Sequence, residues 1–368
     1  MSDDQDHTTP TPWRRDTAGL DERLAAWVRA VVDPDAVVER VSMPDGNGMS
    51  SETVLFDVRR GDLVESYVAR LAPLPDVFPV FPEYDLALQA QVMRLVGSHT
   101  DVPVPTVAWH ETDPSWVGSP FLVMHRIDGR PLPDMPPYVF GGWFMEAPAA
   151  DQRRLEQECA RVLAGVHRLT PATHDLGFLD RPAFGAMGLE QHLGYQRWYY
   201  EWARDGVHYP IVERTLDWLD EHRPPDGPLV LLWGDARPGN ILFDGIRPVG
   251  VLDWEMAAVG PAEIDVAWTI FLHAFFQDLA VKYGFPGLAD LFRRERFVAD
   301  YEAAGGRTVE HLEWFEVFAA ARYAIVSLRT LGRNVHYGLQ PPPDDPDELT
   351  FVPHLLARML DGSYWTAG

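Results

Sequence analysis

The stretch from Leu229 to Asp265, LVLLWGDARPGNILFDGIRPVGVLDWEMAAVGPAEID, constrains this chain more than any other. An apolar run, Leu229 to Trp233, halts at Gly234-Asp235. Asn240 follows, then a second apolar run, Ile241-Leu242-Phe243, a turn-forming Asp244-Gly245, and Val249-Gly250-Val251-Leu252 ending on Asp253. The pattern predicts short strands around a tight connection, with polar groups at the strand ends. Buried sheet backbone holds such groups rigidly, as catalysis requires. Taken singly, Asp235 and Asp253 read as strand-end caps and Asn240 as a turn residue; the three in one frame read as a site.

That frame resembles the catalytic segment of the aminoglycoside phosphotransferase family, which shares the protein-kinase-like fold. Gly234, Asp235, Arg237, Gly239, Asn240 and Phe243 match G-D-x-R-x-G-N-x-x-F, and Leu252, Asp253, Trp254 and Glu255 match L-D-W-E. Both patterns are those of the branch found as a kinase-like domain beside acyl-CoA dehydrogenases. Trp233 stands where many members carry His. The resemblance implies an α+β, bilobal fold with a small antiparallel-sheet lobe and a larger, mainly helical one. Residues 1–19 would form a mobile tail, 20–124 the nucleotide-binding lobe and 125–368 the catalytic and acceptor-binding lobe. It also implies ATP, Mg²⁺ and a small-molecule hydroxyl acceptor. Phosphoryl transfer needs an acceptor held in line and positive charge on the phosphates. By resemblance, Asp235 accepts the hydroxyl proton, and Asn240 and Asp253 hold Mg²⁺, a hard cation that takes oxygen ligands. Arg237 reads as the partner of a neighbouring acid, fixing the loop. Glu255 either supports the site or faces solvent.

The N-terminal half supplies the nucleotide side of the same resemblance. Leu20, Leu24, Trp27, Val28 and Val31 recur at helical spacing. Strand-like Val37 to Val41 and Thr53 to Val58 flank Gly46-Asn47-Gly48-Met49-Ser50-Ser51, which reads either as a plain hairpin turn or as a loop over the phosphates, with Ser50 and Ser51 at its end. In SYVARL, residues 66–71, Arg70 takes the place of the basic residue that meets the α- and β-phosphates. Its planar fork of donors suits phosphate oxygens. The helix expected over Tyr84 to Val96 carries Gln89 where the family places an acid against that basic residue, so either the helix is shifted and Glu83 or Asp85 takes over the pairing, or Gln89 orients Arg70 by a hydrogen bond and the pairing is weaker. Pro120 to Met124 reads as the last small-lobe strand and residues 125–129 as the hinge, with Met124, Arg126 and Ile127 at the adenine.

Beyond the hinge, residues 131–148 hold Tyr138, Phe140, Trp143 and Phe144, either a lid, an acceptor pocket or a packed loop. Helices are expected over 153–169, 189–203, 211–219, 288–303, 311–331 and 352–360. By resemblance, acceptor specificity would sit in 131–148 and 189–219. Asp265 would bond the catalytic-loop backbone, and His167 reads as structural.

Composition sets outer limits. With 31 basic and 55 acidic residues among 368, the net charge of −24 argues against nucleic acid or an anionic membrane as partner. One cysteine, Cys159, excludes an internal disulfide or a cysteine-rich metal site. The apolar run 264–281 is interrupted by Asp265, His273, Gln277 and Asp278 and reads as a buried helix. No secretory leader pattern opens the chain, so a cytoplasmic location is expected. Oligomeric state stays open. The expected function is ATP-dependent phosphotransfer to an alcohol; the alternative is a nucleotide-binding regulatory protein with little transfer activity.

Overall fold

The computed structural model describes residues 12–44 and 51–366. Helix α1 (Leu20–Trp27) runs through a π-helical turn, Val28–Val32, into β1 (Val37–Ser42), β2 (Glu52–Arg60) and β3 (Leu63–Leu71). Helix α2 (Leu86–His99), β4 (Val107–Glu111) and β5 (Phe121–His125) complete a small lobe. Its five strands pair antiparallel in the order β1-β2-β3-β5-β4.

Strand alternation decides which side chains face the large lobe. Tyr67, Ala69 and Leu71 of β3 and Phe121 and Val123 of β5 turn towards α1, in one core with Leu24, Trp27, Val54 and Phe56. The intervening Val68, Arg70 and Met124 therefore point to the opposite face, where α2 and the large lobe lie. Helix α2 starts at Asp85, whose carboxylate accepts from Leu88 N at 2.8 Å. The π-helical turn rotates Val31 out of the helical stripe expected for it, and Val31 is exposed. The tail also differs from expectation over its described part. Arg15 is buried, donating to Glu52 Oε2 at 2.8 Å and to Ser119 Oγ at 2.8 Å, so the chain is tethered before α1 begins.

The large lobe contains α3 (Ala149–Val166), α4 (Leu189–Ala203), α5 (Pro210–Glu221), β6 (Leu229–Leu232), β7 (Ile241–Asp244), β8 (Arg247–Val251), β9 (Ala258–Pro261), α6 (Glu263–Lys282), α7 (Arg294–Ala303), α8 (Leu312–His336), α9 (Pro353–Leu360) and α10 (Ser363–Thr366). Strands β7 and β8 form one antiparallel pair, and β6 pairs with β9. The stripe Leu155, Cys159, Val162, Leu163 and Val166 buries one face of α3. Helix α6 is apolar and long enough to cross a membrane, yet 67% of its most apolar stretch is buried inside the fold, packed mainly on α8.

Candidate active site

Strand β6 delivers the chain to Trp233 and Gly234, whose N–H groups donate to the two oxygens of Asp265 at 2.7 and 3.0 Å. Asp265 lies in the first turn of α6 and is fully buried, so its carboxylate pins the loop's start to a rigid helix. His167 backs it, with Nε2 at 3.2 Å from Asp265 Oδ2 and Nδ1 at 2.7 Å from the Tyr301 hydroxyl. The supporting roles expected for Asp265 and His167 are thus the ones seen. Gly234 has φ 90°, and a Cβ there would overlap the Met256 carbonyl oxygen, so only glycine lets the two loops approach. Trp233, in place of the family's His, is buried and donates its indole N–H to Leu252 O at 2.8 Å.

Asp235 accepts from Arg237 Nε at 2.8 Å, Asn240 Nδ2 at 2.6 Å and Trp268 Nε1 at 2.8 Å. Burial alone pushes its pKa up. The Arg237 charge and the three donors outweigh that and leave it below the usual carboxylate range. Each bond to a charged group is worth about 1.5–3 kcal/mol, so three of them offset the several kcal/mol of a partly buried ion. Arg237 also pairs with Asp134, which lies in the 131–148 loop. The loop-fixing role expected of Arg237 is what the bonds show.

Asp253 follows β8 with φ 62°, a left-handed conformation that Asp tolerates better than most residues. Leu252 N donates to Asn240 O at 2.9 Å, which stitches the turn of Asp253 to the loop of Asp235. Across the cleft, Arg70 Nη2 donates to Asp253 Oδ1 at 3.2 Å. Arg70 thus takes its counter-charge from the large lobe, not from an acid of α2. Asp85 caps α2, and Glu83 lies in the wall of a different cavity. Gln89 is buried and faces the cavity that Arg70 lines.

That cavity, of about 130 Å³, brings Arg70 and Asp253 together with Met124 and Ile127. Val68 and Leu242 add apolar wall. Of the remaining expected nucleotide residues, Arg126 is not in the wall: its guanidinium turns to Asp128 at 3.4 Å, and His125 lines the cavity in its place. Ser51 is buried at the start of β2 and outside this wall, while Ser50 and most of the expected phosphate loop lie outside the described residues.

A second cavity of about 280 Å³ begins at the backbone of Gly234. Helix α4 lines it through His192, Tyr195 and Gln196, within the 189–219 stretch that the resemblance pointed to, whereas residues 204–219 do not line it. The 131–148 loop does not. Tyr138 and Phe144 are buried in the core, and the Tyr138 hydroxyl bonds His273 Nδ1 at 2.7 Å, which makes this a packed loop. The walls that sequence reading missed are 81–85, Phe178 to Arg181, and Arg322 of α8. A signal existed for Arg322: it is a lone charge inside the apolar run Val317 to Val326. Glu255 lines this cavity rather than facing bulk solvent.

A model of the phosphotransferase enzyme family, APH, matches residues 43–315. The chain is 27% identical over 317 residues to the probable acyl-CoA dehydrogenase IBR3 of Arabidopsis thaliana, covering 80% of this chain and 37% of that relative. It therefore spans less than half of that relative's length. Among solved structures it is similar to a putative aminoglycoside phosphotransferase from Ralstonia eutropha, with a TM-score of 0.62 at 21% identity over 96% of this chain and 100% of that one. A thermostable aminoglycoside phosphotransferase mutant in complex with AMP-PNP and hygromycin B gives a TM-score of 0.55 at 18% identity over 92% and 99% of the two chains. These two likenesses establish the protein-kinase-like architecture, and with the family match they place this chain in the phosphotransferase enzyme family.

Proposed function

We propose that the protein transfers the γ-phosphoryl group of ATP to a hydroxyl of a small molecule bound in the larger cavity. One observation carries this. Asp235 and Asp253 lie on stitched neighbouring turns, with side chains 14% and 15% exposed and so still reachable; Asp253 lines the smaller cavity, and Asp235 directly follows Gly234, which lines the larger one. Asp235 would accept the hydroxyl proton. Its low pKa makes it a weak base in the ground state, which suits transfer in which the proton moves late and the carboxylate mainly orients the nucleophile. Met124 and Ile127 would sandwich the adenine, and Arg70 would meet the phosphates.

The donor set fits Mg²⁺ of the kinase kind. Among the described residues no three His, Cys, Asp or Glu side chains converge to hold a metal alone. Mg²⁺ commonly takes one or two carboxylates plus substrate phosphates and water. Asn240 commits Nδ2 to Asp235, which leaves its carbonyl oxygen as the end for a cation; Asp253 supplies the charge. Bound there, Mg²⁺ would neutralise charge on the phosphates. Asp253 and Arg70 would exchange their mutual pair for metal and phosphate respectively.

The regulatory alternative draws on one observation: a neutral Gln89 stands where an acid would hold Arg70. Both readings meet the same test. Asp235→Asn should leave Mg²⁺-dependent ATP binding nearly intact while turnover against a panel of alcohols falls about 10²–10⁴-fold. No turnover by the unaltered protein with any alcohol, beside normal ATP binding, would favour the regulatory reading.

A further inference from the structure

Two residues that line the larger cavity each carry a buried polar atom without a partner, Nη1 of Arg322 and Oε1 of Gln196. Both side chains are more than nine-tenths buried. Buried polar groups are paired in nearly all cases, and an unpaired charged donor costs more than the roughly 1–3 kcal/mol of a neutral one. We infer that Arg322 and Gln196 form the acceptor-recognition subsite, and that it selects a compact hydroxyl compound carrying an oxyanion, a carboxylate being the fit. This inference rests on the phosphotransferase reading for the word acceptor, though not for the subsite.

Geometry fixes Arg322 beside the reaction centre. Its Nη2 donates to the Gly234 carbonyl at 3.0 Å, one residue before Asp235. Its guanidinium lies over the Trp268 ring at 4.6 Å, and the same indole holds Asp235. The fork is thus held in place by its other half, and Nη1, without a protein partner, is the donor assigned to a ligand oxygen. Gln196 offers the complementary function, an acceptor for an O–H or N–H of the same molecule.

The surrounding charges favour an anion at this end. The acids that Arg322 feels most are Asp265 and Asp235. Asp265 already binds two backbone N–H groups, and Asp235 three side-chain donors. Arg181 lines the same cavity with its guanidinium over Tyr195 at 5.0 Å. His192, between them, adds no charge: burial first, then the charge of Arg322, lowers its pKa to about 4, and its Nε2 lies 3.0 Å from the Val259 carbonyl. Glu83, Asp85 and Glu255 enter the cavity from the small lobe and the turn after Asp253, and Asp85 is spent on capping α2. The cavity is therefore two-signed, and the positive end is the one with the unpaired fork.

The test uses three short probes of matched length: β-hydroxybutyrate, the corresponding diol and the corresponding amino alcohol. Binding is measured by calorimetry in the presence of AMP-PNP and Mg²⁺, and transfer separately with ATP. The acid should bind about tenfold or more tightly than the diol, the size of one charge-assisted bond. Arg322→Lys keeps the charge but loses the fork and should erase most of that preference. Gln196→Glu should reverse the order in favour of the amino alcohol. AMP-PNP affinity should hold in both variants, and melting temperatures verify that each is folded. No preference for the acid, including failure of all three probes to bind, overturns the inference. So does Arg322→Lys weakening AMP-PNP while the acid preference survives, since the oxyanion would then be the nucleotide's phosphate. Acid-selective binding without any transfer would instead sink the phosphotransferase reading and leave the subsite standing.

Discussion

Asp235 spreads three donors over two oxygens, and the one on Oδ1 comes from Trp268 alone. Removing it with Trp268→Phe leaves an aromatic, though smaller, ring under Arg322 and deletes the bond. On the proposed reading Asp235 must be ionised to serve as base, and its pKa is depressed, so activity should be present above that pKa and lost as pH falls through it. Loss of a donor raises the pKa. The acid limb of the kcat/KM profile should therefore move to higher pH, with the neutral plateau reduced less. An unchanged acid limb would mean that Trp268 does not set the ionisation of the base. Arg70→Ala removes a partly buried guanidinium paired with Asp253. ATP affinity should drop by the equivalent of about 1.5–3 kcal/mol, read by calorimetry. Unchanged affinity would remove Arg70 from the phosphates. At this scale Asp235, Arg237, Asn240 and Asp253 were legible because they lie within one short frame. Asp134 and Trp268 were not, because their bonds to that frame span about a hundred and about thirty positions of sequence; Arg322 left one local signal, its lone charge in an apolar run, but its bond to the frame is as remote.

At the scale of elements, the first turn of α6 serves as a staple for the loop after β6. The staple is a single carboxylate, Asp265, receiving two backbone N–H groups in a fully buried setting. Asp265→Asn is nearly isosteric but turns an amide NH₂ towards one of those N–H groups. It should cost about 2–4 kcal/mol, read as a lower midpoint in thermal or urea unfolding, with turnover falling as the loop loosens. A melting temperature within a degree of the original would show that the staple is dispensable. Helices α3 and α5 each bury one stripe and were readable from period, as was β3 from Ser66 on, where burial alternates. Strand β9 was missed because four residues, Ala258–Pro261, give no period to detect and pair with β6 across an intervening hairpin. The helix expected from 288 begins only at Arg294, and α8 runs on to His336. Helix ends depend on what the flanking chain packs against, which the stripe does not encode.

Across the whole molecule, the two lobes are joined by more than the hinge. Residues 72–82, the proline-bearing insert between β3 and α2, reach over to α8. Arg329 stands between the Phe78 ring at 3.6 Å and the Trp202 ring at 4.2 Å, and its Nε donates to Pro79 O at 3.0 Å. Phe78 N donates to the Tyr337 hydroxyl at 3.0 Å, and the Tyr199 hydroxyl donates to Val80 O at 2.8 Å. Farther along α8, Arg333 lies over Trp13 at 4.1 Å, so the anchored end of the tail joins the same seam. Largely desolvated cation–π stacking is worth about 0.5–2 kcal/mol per ring, and the bond to Pro79 adds about one more. The insert thus holds the small lobe against α4 and α8, whose residues wall the larger cavity. Arg329→Met keeps much of the stem's packing and removes the charge and the donor. Hydrogen exchange over 72–82 should quicken by about tenfold or more, while exchange in α3, remote from the seam, stays as it was. Because Phe81, Glu83 and Tyr84 line the larger cavity directly after this clasp, KM for the hydroxyl compound should rise more than KM for ATP. Equal exchange in the insert of both proteins would show that the hinge and the Arg70–Asp253 pair hold the lobes without it.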